Sequence, residues 1–157
     1  MAVSTETLMI CLRVAALCSY ILFAKMLFSS LYLGNAKALG GRVLIEDERG
    51  EMEVSEEQKK LVEYREDKAQ RMMDVDLETV PLTLILVWGS YLTLGYAPQE
   101  VAIAYMTFVA FVTFAKIIHG ISYIVNWRWG RFLGHIFGIL GMICLAANGV
   151  VASFFDN

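Results

Sequence analysis

The amino-acid sequence predicts an all-α, integral membrane four-helix bundle, and three observations carry that prediction. Apolar residues make up 57% of the 157 residues, and the mean hydropathy is +0.55, too apolar for a soluble domain of this size. The apolar residues concentrate in four runs, 8–33, 77–96, 101–125 and 132–155, each close to the roughly 20 residues that a helix needs to cross the hydrocarbon of a bilayer. The charges collect outside those runs, mostly in one connector. The chain therefore reads as a single transmembrane domain over 1–157, with a polar loop and helix stem over 34–76.

The first run resembles a signal segment only superficially. No basic residue precedes it, and it far exceeds the roughly 7 to 15 residues of a signal peptide's apolar region, so it is expected to stay as a helix. The connector is expected to open at residue 34 with "GNAKALGG", whose glycines and asparagine are expected to break this helix. Between residues 46 and 67 stand ten acidic and four basic side chains, which places that stretch in water.

Ser55 and Gln58 have the spacing of a capping box, so the second helix is expected to begin in water and run unbroken into its apolar half. Pro81 within it removes a backbone donor and is expected to bend it just past Glu78. "GYAPQE" supplies a tight turn, with Pro98 near the start of the third helix. The fourth helix carries Gly130, Gly134 and Gly138 at four-residue spacing, then Gly141. Such small-residue stripes let helices approach closely in lipid, inside one chain or between subunits.

Of the 13 Lys and Arg residues, eight lie between positions 37 and 71, and Arg128 and Arg131 sit between the third and fourth runs. The other three, Arg13, Lys25 and Lys116, fall inside spans. The positive-inside rule then assigns both of those connectors to the cytosol and both termini to the far side. No basic patch is organised for nucleic acid. Cys11, Cys18 and Cys144 all fall within spans without a CxxC pattern, which argues against a disulfide framework. Two histidines without clustered carboxylates or thiols argue against a transition-metal site.

Ionisable side chains inside spans are costly and mark functional seams. On the second helix Lys68, Arg71, Val75 and Glu78 follow at spacings of three and four and form one stripe, flanked by Asp74, while Asp76 points away. On the third, Lys116, His119 and Tyr123 share a face that Asn126 extends; on the fourth, Arg131 and His135 are one turn apart. These stripes are expected to gather at the cytosolic end. The plainer alternative is that Lys and Arg near helix ends snorkel to the headgroups and that the Trp and Tyr side chains there form an interfacial belt.

The second helix resembles the signature of the MAPEG superfamily, the membrane-associated proteins in eicosanoid and glutathione metabolism. That signature is a basic residue, Arg, then Asn-Asp-x-Glu-Asn/Thr; this chain has Lys68, Arg71, then "VDLET" over 75–79 and Pro81. The order "RMMDVDLETVPL" looks closest to the microsomal glutathione transferases and prostaglandin E synthases. "AKMLF" around Lys25 and "KIIHGISYIV" from Lys116 are similar to the family's first-helix and third-helix segments. Four positions depart from the pattern. Val75 replaces the motif's Asn, Asp74 stands where the synthases have a cation, Lys116 replaces an Arg and Phe132 a Ser.

The resemblance implies a homotrimer with glutathione as co-substrate, bound between subunits near the cytosolic face, in the endoplasmic reticulum or a mitochondrial membrane. Arg71 and Glu78 would hold glutathione's charged ends, with Lys116, His119 and Tyr123 on the third helix. Arg131 would stabilise the thiolate and act as the catalytic residue. Asp76 and Pro81 would be structural, Asp76 pairing within the trimer. The implied activity is a glutathione-dependent transferase, peroxidase or isomerase acting on lipophilic electrophiles or lipid hydroperoxides. Two other readings remain open: a non-catalytic protein of the same fold, binding membrane lipids or serving as an accessory subunit of a larger membrane complex, and a proton or ion pathway over Lys25, Glu78, Lys116 and His119.

Overall fold

The computed structural model describes residues 3–39 and 56–155. Four helices account for nearly all of them: α1, Thr5–Leu39; α2, Glu56–Leu92; α3, Gln99–Ile124; and α4, Arg128–Ser153. A 3-10 turn, Leu94–Tyr96, joins α2 to α3. All four helices are long and apolar enough to cross a membrane, and the chain is an integral membrane protein. At 26 residues each, α3 and α4 span about 39 Å, close to the thickness of a bilayer with its headgroups. With 35 and 37 residues, α1 and α2 are longer and project beyond it at one end, here called the stem end.

The first helix does not stop at Gly34. It continues to Leu39, because one glycine costs a helix only about 1 kcal/mol and the alanines that follow propagate it. Ala36 is buried, so packing holds the extra turn. The second helix runs without a break from Glu56 through Pro81 to Leu92, as its sequence predicts; Ser55, on which the expected capping pair with Gln58 depends, lies outside the described residues. Pro98 is the N-cap of α3, where a missing N–H costs nothing.

The helices stand in the cyclic order α1, α2, α4, α3, with the most extensive packing between α3 and α4. That packing is where the glycine stripe goes, so it is an interface within the chain. A Cβ on Gly134 would lie 2.9 Å from the backbone nitrogen of His119, and one on Gly141 would lie 2.4 Å from Val112. At the far end, the backbone N–H of Val3 donates to the Ala97 carbonyl (3.0 Å), and the Tyr105 hydroxyl, fully buried, donates to the Val87 carbonyl of α2 (3.0 Å). Several side-chain hydroxyls inside the spans return to their own helix: Thr83, Thr113 and Ser122 each donate to the carbonyl four residues back. This satisfies polar groups where no water is available. Large apolar side chains such as Leu17, Leu31, Ile85 and Phe114 cover the outside, as lipid contact requires.

Candidate functional site

The turn from α3 to α4 is three residues long, and its chemistry fixes the site. Asn126 adopts a left-handed backbone with φ of 64°, a conformation that Asn tolerates better than most residues. The Trp127 N–H reaches back to the Ser122 carbonyl at 2.9 Å, which completes a Schellman closure of α3. Gly130 leaves room for the Trp127 ring; a Cβ there would come within 2.2 Å of it. The chain therefore reverses tightly enough to set Arg131 of α4 directly over Tyr123 of α3, with the guanidinium carbon 5.2 Å from the ring centroid. This is a cation–π contact.

Opposite that pair stands the α2 stem. Tyr64, Asp67, Lys68 and Arg71 follow at i, i+3, i+4 and i+7 on one face, and together with Tyr123 and Arg131 they line a cavity of about 140 Å³. The Tyr64 hydroxyl donates to the Asn126 side-chain oxygen at 3.3 Å, which ties the stem to the α3–α4 turn. Three cations and one carboxylate line the space, so its potential favours an anion with a smaller cationic part. Asp74 is exposed and accepts from Gln70 at 2.7 Å; it is not among the lining residues.

Arg71, Tyr123 and Arg131 thus come together, and Lys68 joins them. Lys116 and His119 do not line this cavity; both are buried, with 1% and 3% of their surface exposed. They belong to a second polar seam, deeper in the bundle. There the Lys25 ammonium of α1 is paired with the Asp76 carboxylate of α2, and Ser29 donates to the other carboxylate oxygen at 2.5 Å. Asp76 is completely buried, and its partners stand in its own chain. The Lys25 side chain lies against Gly120 of α3, next to His119 and one turn from Lys116. The polar stripes therefore split into two levels along the bundle. Glu78 is exposed on the outside of α2, two turns from Arg71.

The two levels touch through aromatic contacts. The His119 ring meets Tyr123 edge-on at 5.1 Å between centroids and His135 of α4 at 5.8 Å. No metal-binding group of three or more His, Cys, Asp or Glu side chains exists among the described residues. Tyr64 and Asp67 are site residues that the stripe argument stops short of; extending the Lys68–Arg71 face one turn toward the stem reaches both. The Lys25–Asp76 pair carries no such signal, because its members are 51 residues apart.

Residues 15–151 match the MAPEG family. The chain belongs to that family. No curated protein and no solved structure matches it. The MAPEG match spans most of α1 and α4 and all of α2 and α3, so the stem-end cavity, the buried seam and the short α3–α4 turn all lie within it. Membership accords with a role in membrane-bound glutathione or eicosanoid chemistry in general terms, and it narrows the question to what this member's cavity does.

Proposed function

We propose that this MAPEG protein is a membrane-embedded glutathione-dependent transferase, peroxidase or isomerase acting on lipophilic electrophiles or lipid hydroperoxides, closest in kind to the microsomal glutathione transferases and prostaglandin E synthases. The observation that carries the reading is the position of Arg131, held over Tyr123 at the rim of a cationic cavity. Glutathione has two carboxylates and one ammonium group. Lys68 and Arg71 suit the former, and Asp67 the latter. A free thiol has a pKa of about 8.5, and a guanidinium beside it favours the thiolate. A thiolate held at the edge of lipid then forms a carbon–sulfur bond with an apolar electrophile while the leaving group takes the bonding electrons.

A cavity of about 140 Å³ is smaller than the roughly 300 Å³ or more of typical ligand pockets. This supports a homotrimer in which a neighbouring subunit completes the site and Glu78, exposed on α2, faces that neighbour. The endoplasmic reticulum is the proposed membrane, with the stem end in the cytosol. Val75, apolar where the family motif has an amide, favours a second reading, a lipid-binding or accessory role without turnover. Conjugation of a lipophilic electrophile by the purified protein separates the two. The enzyme reading predicts that Arg131→Ala lowers turnover by about a hundredfold or more while the assembly persists. Unchanged turnover in that variant would remove Arg131 from its role, and absence of turnover in the unaltered protein would favour the second reading.

A further inference from the structure

Among the described residues, the Arg131 guanidinium is oriented by the face of Tyr123 at 5.2 Å. A cation on a ring face is free to slide unless the ring is fixed, so the question is what fixes Tyr123. Its ring is met edge-on by His119 at 5.1 Å. His119 is itself pinned from behind, because the α4 backbone passes so close at Gly134 that a Cβ there would meet the His119 backbone at 2.9 Å. The His119 ring also lies against His135, with 5.8 Å between centroids. His135 stands four residues after Arg131, on the same face of α4. The four side chains therefore close a ring across α3 and α4: Arg131 on Tyr123, Tyr123 on His119, His119 on His135, and one helical turn from His135 back to Arg131.

From this closed ring we infer that His135 is a positioning residue for the thiolate-stabilising arginine. This rests on the glutathione reading given above. His135 lines no part of the cavity; it acts through His119 and Tyr123. Its ring backs the His119 ring, which in turn meets Tyr123, so the contact resists a tilt of either ring away from the guanidinium. The requirement is for a flat ring of this size, which makes the role distinct from acid–base chemistry by the imidazole. An aliphatic or small side chain leaves a gap into which His119 turns, and Tyr123 follows.

The test compares His135→Ala with His135→Phe in the full-length protein in detergent. Three quantities are read: the glutathione dissociation constant, the ultraviolet absorbance of the bound thiolate, and kcat for conjugation. The inference predicts that His135→Ala leaves the dissociation constant within about twofold but lowers kcat by about ten- to a hundredfold, the scale of a small misplacement of a reacting group, with a fall in the thiolate band. His135→Phe restores most of both, because the ring contact with His119 returns. If His135→Phe is as impaired as His135→Ala, or if His135→Ala keeps full turnover, ring positioning is overturned while the glutathione reading stands. If the unaltered protein binds no glutathione, both fall together.

Discussion

The ammonium of Lys25 on α1 closes on the carboxylate of Asp76 on α2, inside the bundle and with Asp76 shut off from any solvent. Ser29 completes the carboxylate's hydrogen bonding, and the Lys25 stem passes Gly120 of α3, where a Cβ would come within 2.9 Å of its Cε. One ion pair thus joins three helices. Removing one partner strands a charge in low dielectric, which costs about 3 to 5 kcal/mol, whereas replacing both by apolar groups is often nearly neutral. Asp76→Ala is therefore expected to lower the thermal unfolding temperature in detergent sharply. The double replacement Lys25→Met with Asp76→Leu should recover most of that loss. A double variant as unstable as the single one would show that the pair is not what holds these helices.

The glycines separate into those that packing needs and those that it does not. Gly134 faces the His119 backbone at 2.9 Å, whereas Gly34 has nothing within 4 Å of a built Cβ. Gly134→Ala has to push α4 off α3 and should destabilise by about 1 to 3 kcal/mol, as overpacking does. Gly34→Ala should stabilise by about 0.4 to 1 kcal/mol by restricting the unfolded chain at a helical position. Thermal unfolding of the two variants side by side checks the opposite signs.

At the far end of the bundle, Tyr105 has no exposed surface, and its hydroxyl donates to the Val87 carbonyl of α2. Tyr105→Phe keeps the ring packing and deletes that bond, so the expected loss is about 1 kcal/mol. The site is a whole membrane thickness away, and glutathione binding should not change. A parallel measurement of unfolding and of glutathione affinity reads both.

The architecture was legible from the sequence because lipid leaves few options: four apolar runs of sufficient length have to be helices. The glycine stripe announced a close approach, though only the structure shows that its partner is α3 of the same chain. Two features were misread or unseen, for identifiable reasons. Gly34 looks like a break, yet Ala36 buries the turn beyond it. The pairing of Lys25 with Asp76 depends on which helices are neighbours, and spacing along one helix carries no information about that. In the candidate site, Arg71, Tyr123 and Arg131 were found by periodicity and by family resemblance alike. The separation of Lys116 and His119 from the cavity depends on depth and burial, which a helical stripe does not encode.

The cavity within one chain is small, so on the proposed homotrimer reading binding should depend on assembly. Glutathione affinity is expected to vanish when the detergent-solubilised protein is dispersed to monomers, and to return on reassembly. Titrations on fractions separated by size would show it. Equal affinity in monomer and assembly would place the whole site within one chain.

The most direct test of the central claim is a calorimetric titration of the purified protein with glutathione, alongside Arg71→Ala. Arg71 lines the cavity beside Lys68, and a charged hydrogen bond of this kind is worth about 1.5 to 3 kcal/mol. The glutathione reading predicts saturable binding that Arg71→Ala weakens by about tenfold or more. No heat of binding at millimolar glutathione, or equal affinity in the two proteins, would contradict it.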